Sequence, residues 1–159
     1  MSMTLNPVNE AAFQKAVQSL ETLNRAAVFH PTGTGKSCIA WKVVEAHPQT
    51  TFFWLVAGAQ RLALRQAELT RYNGGTLPGN VRFCDCEKLA AATPEQWVRL
   101  GEQKPGCIVL DCYHELSAVC WAQSVQKLLR MCPQAKVLGL GVPNGAPVCA
   151  AAQELFADC

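Results

Sequence analysis

Ala26-Ala27-Val28-Phe29-His30-Pro31-Thr32-Gly33-Thr34-Gly35-Lys36-Ser37 is the stretch that decides the fold. Its first four residues form a continuous apolar run, stopped by Pro31 and the glycines, as expected of a short strand buried on both faces. A helix then begins within Gly35-Lys36-Ser37, with Ile39, Ala40, Val43 and Val44 as its apolar face and His47-Pro48 as its stop. Strand, glycine-rich turn and helix in this order make a cradle for phosphate. Gly33 and Gly35 can take backbone angles closed to other residues and so turn successive N–H groups inward, while the helix presents its positive end. Lys36 reaches the β- and γ-phosphates of a nucleoside triphosphate, and the Ser37 hydroxyl completes a Mg²⁺ shell. Pro31, Thr32 and Thr34 complete the loop. The strict pattern has glycine where this chain has His30. A loop that merely turned the chain would not need Lys-Ser directly after Gly-Thr-Gly.

Working outward, the same alternation repeats. Ala12, Phe13, Ala16, Val17, Leu20 and Leu23 mark one stripe of an opening helix over Asn9 to Leu23. Thr51 to Val56 reads as a strand and Gln60 to Tyr72 as a helix, closed by Asn73-Gly74-Gly75. Val81 to Cys84 is a weaker strand, and a short helix starts at Pro94 and runs through Leu100. Cys107-Ile108-Val109-Leu110 is the clearest buried strand, and it ends at Asp111. Trp121, Val125, Leu128, Leu129 and Cys132 form a helical stripe, Lys136 to Leu140 a fifth strand, and Ala146 to Asp158 a terminal helix. Nearly all-apolar strands alternating with helices predict a doubly wound α/β domain: about five mainly parallel strands between two helical layers. We divide it into an N-terminal helix (1–24), a P-loop core (25–145) and a C-terminal helix (146–159).

Asp111 is the second candidate for chemistry. In P-loop enzymes an aspartate at the end of a neighbouring apolar strand holds the magnesium opposite the Ser or Thr, and ligands of open α/β sheets gather at this carboxyl edge. The alternative for Asp111 is a helix N-cap.

Length and composition bound these expectations. One domain fits in 159 residues, and with half of them hydrophobic and 16% charged it has a substantial core. Fourteen basic against 12 acidic residues leave a net charge of +2, which does not demand nucleic acid. Nine cysteines are many for this size, but the number is odd and several lie in apolar runs. Met1 to Asn6 shows no basic stretch leading into an apolar one, and no run is long enough to span a membrane, so reduced thiols and a cytoplasmic location are expected. Cys84-Asp85-Cys86, and Cys107, Cys112, His114 and Cys120, lack the paired spacing of a zinc knuckle and read better as core residues.

Together these segments resemble the first RecA-like domain of superfamily-two helicases, the DEAD/DEAH-box and restriction-type group. Pro31 to Ser37 resembles motif I, Trp54-Leu55-Val56-Ala57 the start of motif Ia, Asp111-Cys112-Tyr113-His114 the Asp-Glu-x-His of motif II, and Leu138 to Asn144 motif III. The resemblance implies an ATP hydrolase with ATP and Mg²⁺ as ligands, Lys36 and Asp111 as catalytic groups, and Ser37 and Asp111 as metal ligands. It also implies DNA or RNA and a second RecA-like domain or partner protein as partners, with no membrane. Arg61, Arg65 and Arg71 fall where the family touches a nucleic-acid backbone, although with a net charge near zero a solvated helix face explains them better. Two departures count against turnover. Cys112 stands where the family has the glutamate that activates water, and a thiol of ordinary pKa ~8.5 is a poor base there. Gly141-Val142-Pro143 replaces a segment whose hydroxyls couple ATP to nucleic acid. The expectation is a domain that holds ATP and hydrolyses it weakly. A small P-loop kinase and a non-catalytic interaction domain are the alternatives.

Overall fold

A computed structural model describes residues 3–111, 121–143 and 156 of the chain. Five strands form one all-parallel sheet: β1 (Arg25–Phe29), β2 (Phe52–Val56), β3 (Val81–Asp85), β4 (Cys107–Asp111) and β5 (Lys136–Gly141), in the order β1-β5-β4-β2-β3. Burial follows position in the sheet. Every residue of β2 and β4 is buried, whereas the edge strand β1 alternates and β3 exposes Arg82. Only central strands of a sheet covered on both faces need to be apolar throughout.

Helices α1 (Pro7–Leu23), α2 (Lys36–Ala46) and α3 (Ala59–Tyr72) cover one face. Ala16 and Leu20 of α1, Ile39, Trp41 and Val43 of α2 and Leu69 of α3 pack there on Val28, Trp54, Val109 and Leu140. Helices α4 (Cys86–Ala90), α5 (Pro94–Glu102) and α6 (Gln126–Met131), the last entered through a π-helical turn at Trp121–Val125, lie on the other. Trp97, Val125, Leu128 and Cys132 pack there with Phe53, Leu55, Ile108 and Leu110. Phe156 also lies on this second face, its ring against β5: a Cβ at Gly139 would stand 2.6 Å from the ring, so no larger residue fits at 139 without displacing it.

The expected helices and strands are present with ends shifted by a few residues, and α4 is an addition. Asp85 starts it by accepting the Glu87 N–H at 3.0 Å, an N-cap placed directly at the end of a strand. The terminal helix expected over 146–158 lies outside the described residues, Phe156 excepted. No helix among the described residues is long and apolar enough to cross a membrane.

The strand order places the site. Leaving β1, the chain crosses by α2 to β2 and by α3 to β3 on one face, then returns on the other to lay β4 and β5 between β1 and β2. The adjacent strands β4 and β2 therefore send their connections to opposite faces. Such a switch point opens a crevice at the carboxyl edge of the sheet.

Candidate functional site

The glycine-rich loop opens at the same carboxyl edge, at the end of β1. The His30 N–H donates to the Gly141 carbonyl at 3.2 Å, which ties the loop's first residue to the end of β5. Gly33 and Gly35 both have left-handed backbones, with φ of 79° and 90°, a region in which a Cβ is strained and which these two positions require for the turn. Gly35 is also the residue before α2, and no side chain caps that helix. An 11-residue helix thus begins at the loop, with the positive end of its dipole toward it. The Thr34 hydroxyl donates to the Pro31 carbonyl at 2.7 Å and closes the loop on itself.

Lys36 folds back over this loop. Its Nζ donates to the carbonyls of His30 at 2.7 Å and Pro31 at 2.9 Å. Phosphate oxygens in the same reach would be charged acceptors, and hydrogen bonds between ionised partners are roughly twice as strong as neutral ones. Ser37 is buried in the first turn of α2. Its neighbour Cys38 donates its thiol to the Tyr72 hydroxyl at 3.2 Å, joining the start of α2 to the end of α3. Burial, with the Cys38 contact, raises the Tyr72 phenol above its ordinary value.

One residue that sequence reasoning passed over belongs to the site. Asn9, in the first turn of α1, is buried and donates its side-chain N–H to the Thr34 carbonyl at 3.0 Å. A Cβ on Gly35 would meet the same Asn9 nitrogen at 2.8 Å, so latch and glycine fit only together. Asn9→Ala is expected to cost about 1 kcal/mol of stability and to weaken nucleotide binding by about three- to tenfold without removing a ligand contact. Paired melting and titration check this, and an unchanged affinity would show that the latch does not position the loop.

Asp111 stands at the same edge, paired in register with Leu140 of β5, while Gly141 pairs with Phe29 of β1. Strands lie ~4.8 Å apart, so β5 sets the Asp111 backbone about 10 Å from β1. Its carboxylate is already engaged. Arg65, from α3, grips it with Nε on Oδ2 and Nη2 on Oδ1, the latter at 3.2 Å. The Trp54 indole N–H donates to Oδ2 at 3.1 Å. The third arm of Arg65 pairs with Glu68. Burial alone would lower the Arg65 pKa, but the Asp111 and Glu68 carboxylates outweigh it and hold the guanidinium protonated, above its ordinary value. Asp111 is 4% exposed and the Arg65 side chain 17%, so breaking this pair strands charge in a water-poor site at a cost of about 3–5 kcal/mol. Of the two protein ligands expected for magnesium, Ser37 stands at the loop and Asp111 is held by an arginine.

Arg61 and Arg65, one turn apart, lie on the same side of α3, and Arg71 is turned away from them. Arg65 is drawn inward, Arg71 is exposed and lies 5.2 Å from the Tyr72 ring centre, and Arg61 is half-buried. Cys84 and Cys86 are buried on the second face, and burial pushes the Cys84 thiol up to about 12. Asp85 between them accepts from the Gly58 N–H at 3.2 Å as well as capping α4. Cys112, His114 and Asn144 lie outside the described residues.

No protein-family model matches the chain, and no curated protein is significantly similar to it.

Proposed function

We propose that this chain binds a nucleoside triphosphate, ATP being the type implied by the helicase-like motifs, and holds it with little turnover. The observation that carries the proposal is the loop. Two left-handed glycines, an uncapped helix start and Lys36 converge at the carboxyl edge of a parallel sheet, an arrangement whose chemistry suits a polyphosphate chain. The nucleotide lies across the crevice with its β- and γ-phosphates on the α2 N-terminus. Lys36 exchanges its loop carbonyls for phosphate oxygens, and Ser37 faces any magnesium carried in with them. DNA or RNA and a second RecA-like domain remain the partners proposed from the resemblance.

Slow turnover follows from what stands beside Asp111. Cys112 cannot take a proton from attacking water as a carboxylate does, and general-base help of that kind is worth about 10² to 10⁴ in rate. A charge-stabilising arginine from a second domain would add ~10³ to 10⁵. The test is to bind radiolabelled ATP with Mg²⁺, separate protein from free nucleotide, and identify what stays bound. Recovery mainly as ATP, with turnover well below about 1 s⁻¹, supports the proposal. Rapid conversion to ADP, or transfer of phosphate to a small acceptor, contradicts it.

A further inference from the structure

The Arg65–Asp111 pair is more than a buried carboxylate finding a partner. Asp111 sits at the end of a central strand, across β5 from the strand that feeds the loop, which is where a P-loop site places negative charge for a divalent cation. Arg65 meets it with two N–H groups on separate oxygens, the flat two-point match that guanidinium makes with carboxylate and lysine cannot. Trp54 adds a third donor. The position is therefore supplied with a cation from within the fold. A metal ion approaching Asp111 would have to displace that cation or stand against its charge.

We propose that Arg65 is the resident cation of the nucleotide site, holding Asp111 in place of a divalent metal, so that nucleotide binds with little dependence on metal. The ligand in this inference rests on the nucleotide-binding proposal above; the geometry rests on the Arg65–Asp111 pair itself. A single charge spread over a guanidinium plane, already spent on a carboxylate, does not polarise a phosphate as a divalent ion does. Arg65 and Cys112 thus act in the same direction, toward holding nucleotide and away from splitting it.

The experiment has two arms. In the first, ATP is titrated into the wild-type protein in Mg²⁺ and in EDTA, with the two affinities expected to agree within about threefold, whereas Arg65→Met, which frees Asp111, binds at least about tenfold more tightly in Mg²⁺. A tenfold metal requirement in the wild type overturns the inference. The second arm uses no nucleotide. Millimolar Mn²⁺ is expected to raise the melting temperature of Arg65→Met by about 5 °C through binding linkage. It leaves the wild type and Arg65→Met/Asp111→Asn unchanged, and an equal response in wild type and Arg65→Met overturns the inference. Where the wild type binds ATP in neither condition, the nucleotide-binding proposal fails and the Mn²⁺ arm decides this one. Should Arg65→Met not fold, Arg65→Lys replaces it in both arms, with a smaller metal response expected because one ammonium cannot span both oxygens.

Discussion

Asp111→Ala is expected to destabilise the protein by about 3–5 kcal/mol, far more than the loss of an ordinary surface charge. Two groups would be stranded. The Trp54 ring, 0% exposed, would keep an indole N–H with its Asp111 acceptor gone, and an orphaned buried donor costs about 1–3 kcal/mol. The Arg65 guanidinium would retain Glu68 but lose the carboxylate that takes two of its N–H groups. In urea the midpoint should fall with the slope unchanged, the sign of lost stability rather than of an altered unfolded state. For a chain of this size the melting temperature should drop by about 10 °C. The double variant Asp111→Ala/Arg65→Met should be less destabilised than the sum of its singles, since removing both charges leaves neither unpaired. Additive losses would show that the pair is not energetically coupled and would weaken the case for Arg65 as an internal cation.

Arg65 also marks where sequence reading ran out. Read along α3, it belongs with Arg61 and Arg71, as a solvated face or a nucleic-acid contact. What turns it inward is the strand order, which brings the end of β4 next to β2 and so within reach of the helix that follows β2. Nothing local in the sequence states that β4 and β5 are inserted between β1 and β2. The strands themselves were legible because β2, β4 and most of β5 are buried on both faces and had to be apolar. β3 was faint because an edge strand can carry Arg82 on its surface. Cys84 and Cys86 were legible as core residues and are buried, whereas the N-cap role of Asp85 between them was not read. Asn9 was hidden for the same reason as Arg65: its partner, Thr34, lies 25 residues away. The glycine loop was legible in full because its geometry is local, from Gly33 to the first turn of α2.

That loop supplies the second large effect. Lys36→Ala should weaken ATP binding by at least about a hundredfold, because hydrogen bonds between charged groups contribute about 1.5–3 kcal/mol each and every 1.4 kcal/mol is tenfold. The folded protein should lose little. In the nucleotide-free state Lys36 is half-buried and donates to two backbone carbonyls at a loop whose Pro31 to Thr34 are exposed and open to water. A variant that binds poorly yet melts within a few degrees of the wild type separates a ligand contact from a structural one.

Calorimetric titration of ATP into the wild-type protein, with Lys36→Ala alongside, tests the central claim most directly. The expected result is saturable binding at one site per chain in the wild type and its loss in the variant. Absence of binding in the wild type, or equal binding in both, would contradict the assignment of this loop as a phosphate cradle.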